Sequence, residues 1–219
     1  MVQVILIALR ATVFTLVLTG LLYPLAMTGI AQVLFPGKAN GSLVEENGKI
    51  VGSELIGQNF ANPGYFQLRP SAAGQNGYDP TASGGSNLGP TSNKLKDRVA
   101  QDLERLRKEN PQASGAVPDD LLTASASGLD PHLSPAAAAW QIPRIAAWRH
   151  VAPERIKPVL EGAVESRDLG FLGEPRVNVL LLNIALDRHF GQPPAPPTPP
   201  PASSGGSAPA PAAAADPLH

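Results

Sequence analysis

The chain has 219 residues, a formal net charge of −1 and no cysteine. So balanced a charge gives no field that would select nucleic acid or an anionic lipid surface as a partner. The missing thiols exclude disulfides, zinc–thiolate sites and cysteine nucleophiles, and leave the redox compartment open.

Residues 1–10 are apolar up to Arg10 and are expected to form an amino-terminal cytoplasmic or interfacial segment. Residues 11–35, ATVFTLVLTGLLYPLAMTGIAQVLF, carry no charge. As a helix they would extend about 37 Å, enough to cross a hydrocarbon core of about 30 Å with some tilt. A soluble core rarely holds so long an uncharged helix. A cleaved leader would start with basic residues and have a shorter apolar core. Residues 11–35 are therefore expected to be a retained transmembrane helix in a lipid bilayer, kinked at Tyr23-Pro24. Arg10 and Lys38 flank it on opposite sides, so the positive-inside count is a tie. A single amino-terminal span followed by a large domain favours an outward domain.

Residues 36–190 form one mixed domain. SLVEE and KIVGSELIG are extended pieces joined by Asn47-Gly48, a hairpin signal because both residues tolerate positive φ. Residues 57–91, rich in Gly, Asn, Ser and Pro, predict a long loop, which inside a compact domain is usually functional. Leu95, Val99, Leu103 and Leu106 make one apolar helical stripe, capped by Thr91 or Ser92 and ended by Asn110-Pro111. Its charged faces read as solvated. Residues 117–122 suggest a helical turn with Pro118 at its first position. Residues 134–151 are a helix with Ser134 as cap, to be kinked or split at Pro143. Trp140 and Trp148 lie near one of its faces and suit packing. Residues 153–165 are another helix, its geometry in question at Pro158. PRVNVLLLNIALDRHF gives a short extended piece and then a helix after Asn178. The fold class is α+β, with a single mixed domain behind one membrane helix. Residues 191–219, rich in Pro and Ala, cannot bury enough surface to offset their conformational entropy and are expected to be a disordered tail.

Two stretches suggest chemistry. TASGGSN, 81–87, resembles a phosphate-cradling loop, but lacks the Lys-Ser/Thr step, a preceding strand and an immediate helix. A tight turn or packing loop fits it better. TASASGLDPHLSP, 123–135, gathers Ser125, Ser127, Asp130 and His132, the residue types of a hydrolytic triad. Triads assemble from distant segments, and the Gly-x-Ser-x-Gly elbow is absent. A membrane-anchored serine hydrolase therefore stands only as the alternative. The four histidines lack partners at helical spacing, so no metal site is expected.

Taken together, NGSLVEENGKIVGSELIGQNF, YFQLRPSA, SGGSN, VPDDLLTASASGLDPHLSPAAAAWQIPRIA and VNVLLLNIALD follow one membrane helix in that order. From about residue 5 to Phe190 the array closely resembles the C subunits (KdpC) of bacterial Kdp potassium-transporting P-type ATPases. The resemblance implies an accessory subunit of an ATP-driven, high-affinity potassium importer of the inner membrane. It implies three partners: a potassium-selective channel-like subunit (KdpA-type), a P-type ATPase subunit (KdpB-type) and a small membrane subunit (KdpF-type). It also implies one extracytoplasmic domain, needed for assembly and described as a catalytic chaperone that raises ATP affinity in the pumping subunit. ATP and potassium would be used by the complex. The chain itself has neither an Asp-Lys-Thr-Gly phosphorylation motif nor a selectivity filter, and no catalytic, cofactor-binding or metal residues of its own are expected. An outward domain would be cut off from cytosolic ATP, so an effect on ATP affinity would have to be allosteric. Gln58, Asn59, Tyr65, Arg69 and Asn87, all in the long polar loop, are the expected subunit contacts. Arg69 is the best suited to anchor an interface. The tail and Pro158 depart from the family pattern.

Overall fold

The computed structural model describes residues 1–195. A continuous helix of 33 residues, Val2–Leu34, opens the chain. It comprises α1 (Val2–Val17), a widened π turn (Leu18–Leu22) and α2 (Tyr23–Leu34). The distortion expected at Tyr23-Pro24 is this turn. The proline ring cannot fit against the carbonyl four residues back, and the ladder loosens just ahead of it. The helix begins at Val2 and runs through Arg10 without a break. The hydroxyls of Thr15 and Thr19 donate to carbonyls one turn back, Ala11 O at 2.8 Å and Thr15 O at 2.7 Å. Their polar atoms are thus satisfied within the helix.

A helical turn, α3 (Pro36–Ala39), leads into an antiparallel hairpin of β1 (Leu43–Glu46) and β2 (Lys49–Ser53). Asn47 and Gly48 turn it with φ of 52° and 75°, the left-handed pair that a two-residue connection needs. No helix or strand follows until α4 (Asn93–Glu109). Ser92 occupies the N-cap of α4 but makes no side-chain cap bond, and Asn110 ends the helix. Residues 119–121 form a 3₁₀ turn in which Pro118 is the cap rather than the first helical residue.

The core is built around α5 (Pro135–Arg149), α6 (Pro153–Gly162) and α7 (Val179–Phe190). A small antiparallel sheet accompanies them, ordered β3 (His132–Leu133), β5 (Arg176–Asn178), β4 (Val164–Glu165). Val177 pairs with Leu133 on one side and Val164 on the other, and is fully buried. Ser134 accepts a hydrogen bond from the Ala137 amide, and Asn178 from the Leu181 amide, as N-caps do. Pro143 does not split α5, and Pro158 does not break α6. Each proline leaves the carbonyl four residues back without its amide partner. Those carbonyls belong to Ala139 and Glu154, both on exposed faces where water can satisfy them. Buried Trp140, Ile142, Ile145 and Ile156 hold the helices in place.

The carboxy-terminal side also departs from expectation. Arg149 Nη1 donates to Gly191 O at 2.6 Å, and Asn62 Nδ2 and Trp148 Nε1 donate to Pro194 O at 2.9 and 3.2 Å. Residues 191–195 therefore lie against the domain. The rest of the expected disordered tail, 196–219, lies outside the described residues.

Candidate functional site

The polar loop 57–91 has almost no ladder hydrogen bonds of its own, and side-chain amides from the helices stand in for them. Asn183 on α7 accepts from the Phe66 amide at 2.9 Å and donates to the Phe66 carbonyl at 3.0 Å. Gln141 on α5 treats the next residue the same way, accepting from Gln67 N at 2.9 Å and donating to Gln67 O at 3.0 Å. Each carboxamide matches the donor–acceptor pair of a neighbouring strand. Both amide side chains are buried, and Phe66 is fully buried between them and the core. A loop of this length is thereby fixed without secondary structure.

Tyr65 sits beside this pinned pair. Its hydroxyl donates to Asp187 Oδ2 at 2.6 Å. The other oxygen of Asp187 takes a 2.8 Å ion pair from Arg149, whose guanidinium lies 5.0 Å from the centre of the Tyr65 ring. Burial, then the bond to Asp187, pushes the Tyr65 hydroxyl up to about 12, against the opposing pull of Arg149.

Arg69 is engaged within the chain as well. It pairs with Asp130 at 3.4 Å and lies at the same distance from the Thr123 carbonyl and hydroxyl. The Arg69 carbonyl accepts from the Tyr78 hydroxyl at 2.5 Å. Gln58 and Tyr65 line one cavity of about 430 Å³ between the hairpin and α7. Gln58 and Asn59 line a second of about 370 Å³. Asn87 is exposed, holds a left-handed φ of 51° and lines neither cavity. Of the five expected contact residues, the fold thus gathers Gln58, Asn59 and Tyr65, sets Arg69 against Asp130 and leaves Asn87 apart.

The glycine loop and the serine-rich stretch prove to be partners. Gly84 N donates to Ser127 O at 2.9 Å, and the Ser83 hydroxyl donates to the same carbonyl at 3.0 Å. A Cβ on Gly85 would come within 2.9 Å of the Ala126 carbonyl. Gly128 holds φ of 67°, and a Cβ there would meet the Gly84 carbonyl at 2.8 Å. TASGGSN is therefore a packing loop whose glycines let two backbones touch. α4 begins only at Asn93, so the loop does not sit at a helix N-terminus. The hydrolase alternative gains no support. The Ser127 hydroxyl accepts from Leu129 N at 3.1 Å in a local turn, and Ser125 is buried. Asp130 Oδ1 accepts from the His132 amide at 3.0 Å and lies 3.5 Å from His132 Nδ1. Burial raises the Asp130 carboxyl, but His132 and Arg69 more than offset this and hold it below its ordinary value. These contacts make a turn rather than a nucleophile and base.

Sequence reasoning missed Gln141, Arg144, Arg149, Asn183 and Asp187. A signal was present in WQIPRIAAWR, where Gln141 and Arg144 fall on the face that carries Trp140 and Ile145. Polar groups on a buried helical face must have partners elsewhere.

Similarity to other proteins bears on a site whose contents are internal bonds and an exposed polar rim. The family model described as "KdpC: K+-transporting ATPase, c chain" matches residues 5–188. A potassium-transporting ATPase KdpC subunit of Myxococcus xanthus is 65% identical over 188 residues, covering 85% of this chain and 89% of the relative. The subunit of the same name from Methylobacterium nodulans is 55% identical over 188 residues, covering 80% and 92%. That of Koribacter versatilis is 54% identical over 177 residues, covering 80% and 90%. The match takes in the apolar helix, both paired loops and all three core helices, and so the chain belongs to the KdpC family of potassium-transporting ATPase subunits.

Proposed function

We propose that this chain is the accessory C subunit of a high-affinity potassium importer of the bacterial inner membrane, with its domain on the extracytoplasmic side. In this reading α1–α2 packs among the helices of a channel-like subunit, a P-type ATPase subunit and a small membrane subunit. The observation that carries the reading is the family match over residues 5–188, together with a 33-residue apolar helix that buries none of its membrane-length window against its own domain. So unpartnered a helix calls for lipid and neighbouring helices around it. Gln58, Asn59 and Asn87 offer free polar groups to a neighbouring subunit, while Tyr65 and Arg69 shape that surface from within. The chain promotes assembly and raises the ATP affinity of the pumping subunit through contacts, not by holding nucleotide. Its glycine loop is occupied by residues 126–128, and ATP lies across the bilayer.

The absence of cysteine makes sidedness directly measurable. A single cysteine placed at exposed Lys96 should react with a membrane-impermeant maleimide added to intact cells. Reaction only after the cells are broken open would refute the outward placement. In a strain lacking its own C subunit, the chain supplied with its sister subunits should restore growth at limiting potassium. Asn59→Arg should weaken that rescue without lowering the melting temperature of the purified chain. An azido-ATP analogue should label the P-type subunit of the complex and leave this chain unlabelled.

A further inference from the structure

The described residues end at Ala195, in the wall of a groove of about 720 Å³. The groove lies between the carboxy-terminal end of α4 and the face of α5 that carries Pro143, Ala147 and Trp148. Pro63 and Pro111 add to its apolar lining. The end of the chain is held there in two ways. The Trp148 indole and the Asn62 amide both donate to the Pro194 carbonyl, at 3.2 and 2.9 Å. The second hold is steric. Gly64 is buried, and a Cβ on it would collide with Pro193 Cβ and stand 2.7 Å from Trp148 Cδ1. The missing side chain at Gly64 thus makes room for a proline ring beside an indole. Upstream, Gly191 turns the chain away from α7 with φ of 76°, and Arg149 binds its carbonyl at 2.6 Å. Aromatic-lined grooves take proline-rich segments in this way, because such segments have little freedom to lose.

The sequence repeats the seated unit. Residues 193–201 read PPA, PPT and PPP, a period of three. Each proline fixes its own φ and pushes the residue before it towards extended backbone. The repeat therefore favours a polyproline helix, which has three residues per turn. In such a helix Pro193, Pro196 and Pro199 share one edge, and Pro194, Pro197 and Pro200 share the next. The first unit of each edge is the one held against Gly64, Trp148 and Asn62. No charged side chain occurs in the repeat, so covering it desolvates no ionised group.

We propose that the groove is a polyproline site and that its occupant is this chain's own residues 196–201, which continue along it from Ala195. At about 3.1 Å per residue the six would extend roughly 19 Å. Their attachment at Ala195 makes the docking intramolecular, with an effective concentration on the order of millimolar, and so keeps competing proline-rich segments out. The site is built within this domain and does not rest on the transport reading.

Three chains test this in detergent. One is the full-length parent, and one ends at Ala195. The third is full-length, with Pro196, Pro197, Pro199, Pro200 and Pro201 each replaced by serine. Trp148 is half-buried and Trp140 is buried, so acrylamide quenching reports chiefly on Trp148. The parent should be quenched less than either altered chain and should melt about 2–4 °C higher. A parent quenched as readily as the chain ending at Ala195 would overturn the proposal. So would a serine-substituted chain as well shielded as the parent, because the polyproline character would then not matter. A peptide of residues 193–201 that bound the parent as tightly as the chain ending at Ala195 would also overturn it. The groove would then be open to a proline-rich segment of another protein.

Discussion

At the scale of single residues, the order of the long loop rests on two amides. Asn183→Ala would leave the buried N–H and C=O of Phe66 without partners, each lost bond costing about 1–3 kcal/mol. We expect about 2–6 kcal/mol of destabilisation in chemical denaturation of the full chain. A change below about 0.5 kcal/mol, the range of ordinary surface substitutions, would show that the amide does not hold the loop. Tyr65 gives a pH signature. Its hydroxyl is raised from 10.0 to about 12 by burial and by its bond to Asp187. A group raised on folding stabilises fully below its unfolded value and loses that contribution as pH rises through the folded one. The stability advantage of the parent over Tyr65→Phe should therefore be constant below pH 10 and vanish between pH 10 and about 12. An advantage unchanged across that window would show that burial and the bond to Asp187 do not raise the hydroxyl.

At the scale of elements, what could be read from the sequence divides by distance along the chain. The hairpin at Asn47-Gly48, the Ser134 cap and the strand-to-helix step at Asn178 were all legible, because each is decided within a few residues. The stand-in pairing of the polar loop was not, since Gln67 meets Gln141 74 positions on and Phe66 meets Asn183 117 positions on. Pro143 misled for a related reason. Its local cost was plain, but the burial of α5 around it is tertiary. The glycines at 84 and 85 were legible as backbone devices, yet their partner at 126–128 was not, because a close approach names no residue on the other side. The same distance rule applies to residues 191–195, which looked like the start of a tail. A chain ending at Ala195 keeps the bonds from Arg149, Trp148 and Asn62, and a chain ending at Phe190 loses them. We expect the shorter chain to be less stable by about 1.5–4.5 kcal/mol, at about 0.5–1.5 kcal/mol for each of the three net bonds. Equal melting temperatures for the two truncations would show that this docking contributes nothing.

At the scale of the whole molecule, two parts pose opposite problems. Among the described residues the domain leaves few buried side-chain polar atoms unpartnered, and it presents half-buried Gln58 beside exposed Asn59, with exposed Asn87 apart from them. The helix Val2–Leu34 satisfies its backbone but buries none of its apolar membrane-length window. A membrane helix of this kind completes its packing with partners, and the family to which this chain belongs is one of potassium-transporting ATPase subunits. The most direct measurement is purification through a tag on this chain, after co-expression with the channel-like, P-type and small membrane subunits from the same bacterium. The account predicts that all three are recovered in a fixed ratio, and that the recovered complex shows potassium-stimulated ATP hydrolysis that is lost when this chain is omitted. Recovery of this chain alone, or full activity without it, would contradict the account.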